Sequence, residues 1–204
     1  MRLDRALVAR GLVKSRSEAL EAIKAGLVSV DGAIARKAAQ AISQECAIDV
    51  SGPVRRFVSR GGDKLAHALA TFDVRAQGRH ALDLGSSTGG FTHVLLEAGA
   101  ASVTAIDVGR DQFAEALKTD ERVRLHEGLD ARHLSPEHLR HRPDLVVVDV
   151  SFIALAKLLP VPLLLADDPA DLIALVKPQF EVGRAHVGKG GIVKDTALHD
   201  KALG

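Results

Sequence analysis

Asp83-Leu-Gly-Ser-Ser-Thr-Gly-Gly-Phe91 closes an apolar run that begins at Ala81 and opens a helix-like segment from Phe91 to Ala98. A strand that passes through a glycine-rich turn into a helix brings bare backbone up to a ligand, because glycine has no side chain to obstruct the approach. Gly85, Gly89 and Gly90 supply that freedom here. The spacing matches neither GxGxxG nor GxxxxGK[ST]. The missing phosphate-cradling lysine excludes a P-loop ATPase, and the missing third glycine disfavours a dinucleotide site.

Working outward, strand-like runs recur at Val103-Thr-Ala-Ile-Asp107, Val123-Arg-Leu125, Asp144-Leu-Val-Val-Val-Asp149 and Asp171-Leu-Ile-Ala-Leu-Val176, separated by helical patterns. Such alternation predicts an α/β fold with a parallel sheet, whose ligand crevice lies at the carboxyl ends of the strands. Asp83, Asp107, Asp149 and Lys177 all stand at such ends and are expected to converge. Asp107 ends the second strand, 24 residues after Asp83, where a carboxylate can accept both hydroxyls of a ribose. After Val176 only a loop from Pro178 to Ile192 and a helix beginning near Asp195 are expected, so the antiparallel strands that usually close such a sheet are expected to be missing.

Toward the N-terminus the pattern changes. Leu3, Leu7, Val8 and Leu12 have helical spacing, with Gly11 as the stop. Ser15 and Glu18 predict a capping box for a second helix with an apolar stripe of Ala19, Leu20 and Ile23, ended by Gly26. Leu27-Val-Ser-Val30, Asp31-Gly32 and Ala33-Ile-Ala35 read as a hairpin. Arg2, Arg5, Arg10, Lys14, Arg16 and Lys24 lie along the two helices.

Composition agrees with two parts. The 204 residues carry 27 Lys+Arg against 26 Asp+Glu, but residues 1–64 hold 12 cations and 7 anions, and the remainder 15 and 19. A basic front on an acidic body points to an anionic partner such as RNA. The longest apolar run, Ile153 to Ala166, is broken by Lys157, Pro160 and Pro162 and is too short for a membrane span. No secretory signal is visible, and the single Cys46 allows no internal disulfide, which together suggest a cytoplasmic setting. Cys46 is expected to be a small buried apolar residue, and the nine histidines show no metal-ligand spacing, so no metal is expected.

Residues 1–60 resemble the S4 RNA-binding domain, a small α+β unit, through LDRALVARGLVKSRSEALEAIKAGLVSVDG. Residues 61–204 resemble the class I, Rossmann-like methyltransferases that use S-adenosylmethionine. That resemblance implies a cofactor loop of Asp83, Gly85, Ser86, Thr88, Gly89, Gly90 and Phe91 facing the methionine part, Asp107 on the ribose and Asp130 by the adenine amino group; Ser87 stands where many members have glycine. With SRGGDKL, VDVSF and VKPQFE added, the chain from residue 1 to about 195 closely resembles the TlyA family of ribosomal RNA 2′-O-methyltransferases, FtsJ-like enzymes also labelled haemolysins.

The resemblance implies catalytic roles for Lys64, Asp149 and Lys177 in the family's Lys-Asp-Lys-Glu tetrad. The fourth member, a glutamate on a late strand, has no counterpart, and Glu181 is a poor substitute. The expected partner is ribosomal RNA. Two alternatives stand beside this reading: an RNA-binding module with an inactive methyltransferase half, and a membrane-active haemolysin. The second is disfavoured by the absence of an apolar span and of a strongly amphipathic basic-aromatic helix.

Overall fold

The computed structural model describes residues 1–52 and 56–203, in two compact units, Met1–Arg56 and Phe57–Gly204. In the first unit, α1 (Leu3–Ala9) and α2 (Arg16–Lys24) pack beside a small antiparallel sheet of β1 (Val28–Val30), β2 (Ala33–Ile34) and β3 (Ile48–Val50), in the order β2-β1-β3. Asp31 and Gly32 both take positive φ, as the two-residue turn between twisted strands requires. Leu3, Leu7, Ala19, Ile23, Val28 and Ile48 belong to the core, which also takes in Cys46.

Three local expectations are corrected. Leu12 is exposed, because α1 ends at Ala9 and the chain has already turned at Gly11. Leu20 is also exposed, and Ala22 completes the buried stripe of α2. Ser15 Oγ does accept the Glu18 N–H at 3.2 Å, but the Glu18 carboxylate reaches back to the Lys14 N–H at 2.7 Å, so the box is displaced by one residue.

The second unit begins with α3 (Arg60–Thr71) and continues through β4 (His80–Leu84), α4 (Gly90–Glu97), β5 (Ser102–Asp107), α5 (Glu115–Lys118) and β6 (Val123–Glu127). Then follow β7 (Leu145–Val148), α6 (Leu155–Leu158), α7 (Pro160–Leu165), β8 (Asp171–Ala174), α8 (Pro178–Glu181) and α9 (Thr196–Leu203). The five strands form one parallel sheet in the order β6-β5-β4-β7-β8, as the alternating pattern predicts, with β8 outermost. The order reverses beside β4, and that switch point is where open sheets hold ligands.

Leu145 to Val148 are all fully buried, which is why this strand reads as an unbroken apolar run. Successive side chains feed opposite cores: Ala81, Leu145 and Val147 face α3 and α4, and Leu82, Leu84 and Val148 join the side of α6 and α7. The helix α3 is not predicted from the sequence, because Gly61 and Gly62 break its pattern. Gly62 and, across from it on α4, Gly90 are packing devices. A Cβ on Gly62 would stand 2.5 Å from Phe57 Cβ, and one on Gly90 would stand 2.2 Å from Ser59 Oγ, so the backbones meet at van der Waals contact. The loop expected over Pro178–Ile192 also contains structure, since Pro178 sets the first turn of α8.

Candidate active site

The carboxyl ends of β4, β5 and β7 open onto a cavity of about 1200 Å³. Gly85, Asp107, Asp130 and Asp149 line it, and Lys177, just past the end of β8, reaches Asp149. Four strand ends and the loop after β6 thus meet in one crevice.

Gly85 turns the chain out of β4 with φ +84°, and its N–H and that of Ser86 both donate to the Ile106 carbonyl. A Cβ on Gly85 would lie 2.8 Å from the Asp149 carbonyl oxygen, so this glycine lets the 83–91 loop and the VDVSF loop touch. Gly89, also at positive φ, leaves room for Phe113 and Leu117. Ser87 takes φ +46°, a left-handed conformation that glycine adopts without cost. The serine is held there by its N–H, which donates to Asp107 Oδ2 at 2.7 Å, and by its hydroxyl, which meets Gln112. Neither Ser87 nor Gln112 is legible as a site residue in the sequence. The other Asp107 oxygen accepts the Gly109 N–H at 2.6 Å.

Ser86, Gly89, Gly90 and Phe91 are buried behind the loop, and Thr88 accepts the Ala114 N–H through its carbonyl. Asp83 is fully buried, accepts the Thr92 hydroxyl at 2.7 Å and does not line the cavity. Burial, with Asp149 and Asp107 adding like charge, pushes its carboxyl up to about 7 against the bond from Thr92. Asp83 Oδ1 and Ser86 Oγ have no hydrogen-bond partner among the described residues. These two unpartnered buried polar atoms lie under the loop beside a cavity lined by the Asp107 carboxylate, whose acceptor oxygens fit the hydroxyls of a nucleoside ligand.

The Asp83 displacement has a testable sign. Below about pH 4 both folded and unfolded chains keep the proton, and between pH 4 and 7 only the folded chain does. Stability should therefore fall as pH rises through that window and level off above it, with a slope of at most about 1.4 kcal/mol per pH unit from this group. Asp83→Asn should remove that component, read as a flatter curve of denaturation midpoint against pH.

Asp130 lines the cavity but forms a tight pair with Arg132 (2.6 Å), which holds its carboxyl down to about 2. An adenine amino group at Asp130 would share the carboxylate with this guanidinium.

Lys64, projecting from α3, lies 3.5 Å from Asp149 Oδ2, and Lys177 lies 2.6 Å from Asp149 Oδ1. Lys177 also donates to Ser151 Oγ at 3.0 Å. The three motif residues come from elements far apart in sequence and meet on one carboxylate. Glu181 is elsewhere, with its carboxylate accepting the Leu155 N–H at 3.0 Å at the start of α6. On the same cavity wall Phe152 takes φ +69°, a conformation a bulky residue rarely adopts, and is 89% exposed. Its ring lies 5.2 Å from that of Phe180. With six phenylalanines and no Trp or Tyr in the chain, this pair of one exposed and one half-buried ring is a distinctive surface, and the VDVSF and KPQFE blocks contain it without showing that the rings meet.

In the N-terminal unit Arg2, Arg5, Arg10, Lys14, Arg16 and Lys24 are all exposed. They are not equivalent. Arg10 donates to the carbonyls of Cys46 and Gln44, both at 2.7 Å, and so pins a loop of its own unit, and Arg2 and Arg16 pair with Asp4.

A parallel sheet in this order, with a glycine turn after its first strand and an acid ending the second, defines a class I methyltransferase fold. The chain belongs to the FtsJ-like methyltransferase family, whose match covers residues 57–203, and it carries an S4 domain over residues 1–45. It is 49% identical over 203 residues to the 16S/23S rRNA (cytidine-2′-O)-methyltransferase TlyA of Mycobacterium tuberculosis, covering 99% of this chain and 76% of that protein. It is 38% identical to Hemolysin A of Brachyspira hyodysenteriae, covering 100% of this chain and 85% of that one. A solved structure of a proposed hemolysin from Streptococcus thermophilus superposes with a TM-score of 0.73 at 38% identity, covering 100% of this chain and 74% of the other. Among the described residues no helix is long and apolar enough to cross a membrane.

Proposed function

We propose that this protein transfers the methyl group of S-adenosylmethionine to a ribose 2′-hydroxyl of ribosomal RNA, in the cytoplasm. The observation that carries this reading is the Lys64–Asp149–Lys177 cluster, whose shared carboxylate, Asp149, lines the same cavity as Asp107. The relative from Mycobacterium tuberculosis is named for the same reaction on cytidine, and the S4 domain supports an RNA partner.

S-adenosylmethionine supplies an activated sulfonium methyl open to in-line attack. The task left to the chain is to orient a weakly acidic hydroxyl and take its proton. Asp149 bridges two ammonium groups but compensates only one positive charge. One of the two lysines serves as the general base, its Nζ taking the proton of the ribose hydroxyl as the methyl group is transferred. Asp149 and Ser151 fix Lys177, and the exposed Phe152 ring, backed by Phe180, offers a face on which the target base stacks.

The test is incubation of the purified chain with tritiated S-adenosylmethionine and ribosomal subunits from cells lacking this activity. Label should appear as 2′-O-methylated nucleoside after digestion of the RNA. Label confined to bases, or absent at saturating cofactor, would overturn the proposal.

A further inference from the structure

Asp4 is the only fully buried charged side chain among the described residues of the N-terminal unit. Burying a carboxylate is costly unless all its acceptor positions are filled. Here they are. Oδ1 accepts Arg2 Nε at 3.0 Å and the Arg5 N–H at 3.0 Å, and Oδ2 accepts Arg2 Nη2 at 3.1 Å and Arg16 Nη2 at 2.7 Å. The two arginines hold the Asp4 carboxyl below the usual carboxylate range.

The arginines themselves are not buried. Their side chains remain 47% and 55% exposed, and neither spends its remaining N–H donors on another described group. Arg16 moreover opens α2, where the helix dipole disfavours a cation. The chain thus places two guanidinium groups side by side against their mutual repulsion, anchors both on one buried carboxylate from beneath, and leaves most of their donors facing outward. That arrangement suits an anion with several acceptor oxygens. It also fixes the rotamers of two long side chains before binding, so the ordering cost is met during folding.

We propose that Asp4 is a positioning residue which sets Arg2 and Arg16 as a two-armed site for one RNA phosphate group, resting on the reading of this unit as RNA-binding. Arg5, Lys14 and Lys24 supply general attraction. Arg10 is a structural residue.

The test turns on a sign. Asp4→Asn removes a negative charge from a surface that meets RNA, so charge alone predicts tighter binding. Positioning predicts weaker binding. With the full chain and a short fluorescein-labelled RNA stem-loop, anisotropy titrations across a potassium chloride series should show affinity falling roughly five- to tenfold in Asp4→Asn. The slope of log K against log salt should shrink by about one phosphate contact. Arg16→Lys, which keeps the charge but loses the planar fork, should weaken binding similarly. S-adenosylmethionine affinity should not change in either variant.

Thermal melts establish that each variant is folded at the assay temperature, and Arg16→Lys alone decides the matter if Asp4→Asn is not. Binding as tight as the parent's in Arg16→Lys, or as tight or tighter in Asp4→Asn, overturns the positioning role. A parent chain with no salt-dependent RNA affinity overturns the RNA reading of the unit, and the proposal with it.

Discussion

Lys177→Ala and Lys64→Ala should each abolish methyl transfer while leaving S-adenosylmethionine affinity nearly unchanged. Both lysines pair with Asp149, and neither bonds to Asp107, the carboxylate assigned to the donor's ribose in the proposed reaction, so neither is expected to hold the donor. Loss of a positioned general base alone costs about 10²–10⁴ in rate. Removing Lys177 should reach the upper end, because it also strips Asp149 of its shortest ion pair at 2.6 Å. Lysine-to-arginine exchanges should not restore the rate. A guanidinium keeps the charge and the attraction for RNA but does not release its proton near neutral pH. Single-turnover assays with cofactor saturation separate the two steps, and full activity in both Lys→Arg variants would rule out a lysine base.

The second large effect is on cofactor affinity. Asp107→Ala should weaken S-adenosylmethionine binding by about 1.5–3 kcal/mol, roughly 10- to 150-fold, through loss of a charged acceptor for ribose hydroxyls. The carboxylate has a second duty, because it holds the N–H groups of Ser87 and Gly109 and with them the left-handed turn at Ser87. Asp107→Asn separates the two duties, since an amide oxygen can keep one of these bonds while the charge is lost. Calorimetry should place Asp107→Asn between the parent and Asp107→Ala, with circular dichroism unchanged in all three. An unchanged affinity in Asp107→Ala would remove Asp107 from the cofactor site.

Much of this protein is legible in its sequence because the signals are local or periodic. Apolar runs of strand length ending in acids gave the parallel sheet and placed Asp83, Asp107, Asp149 and Lys177 at strand ends. The Asp31-Gly32 hairpin and the caps around Ser15 follow from backbone chemistry within a few residues. The glycines of the 83–91 loop announced close backbone contact without naming what they contact.

Only the tertiary structure decided the rest, because it depends on groups far apart in the chain. The helix α3 was hidden because Gly61 and Gly62 lower helix propensity; their reason, contact with Phe57 and α4, exists only once the elements pack. Sequence placed Asp83 on the crevice, but folding buries it beneath the loop, since alternate positions on a central strand face helices and not solvent. Glu181 lies in a motif rich in site residues, yet its carboxylate is drawn to the free Leu155 N–H at the start of a short helix. The six basic residues of the front look alike as letters. Asp4 and the carbonyls of Gln44 and Cys46 divide them into anchored and free groups, because a buried carboxylate or an unpaired carbonyl takes whichever guanidinium the packing brings within reach.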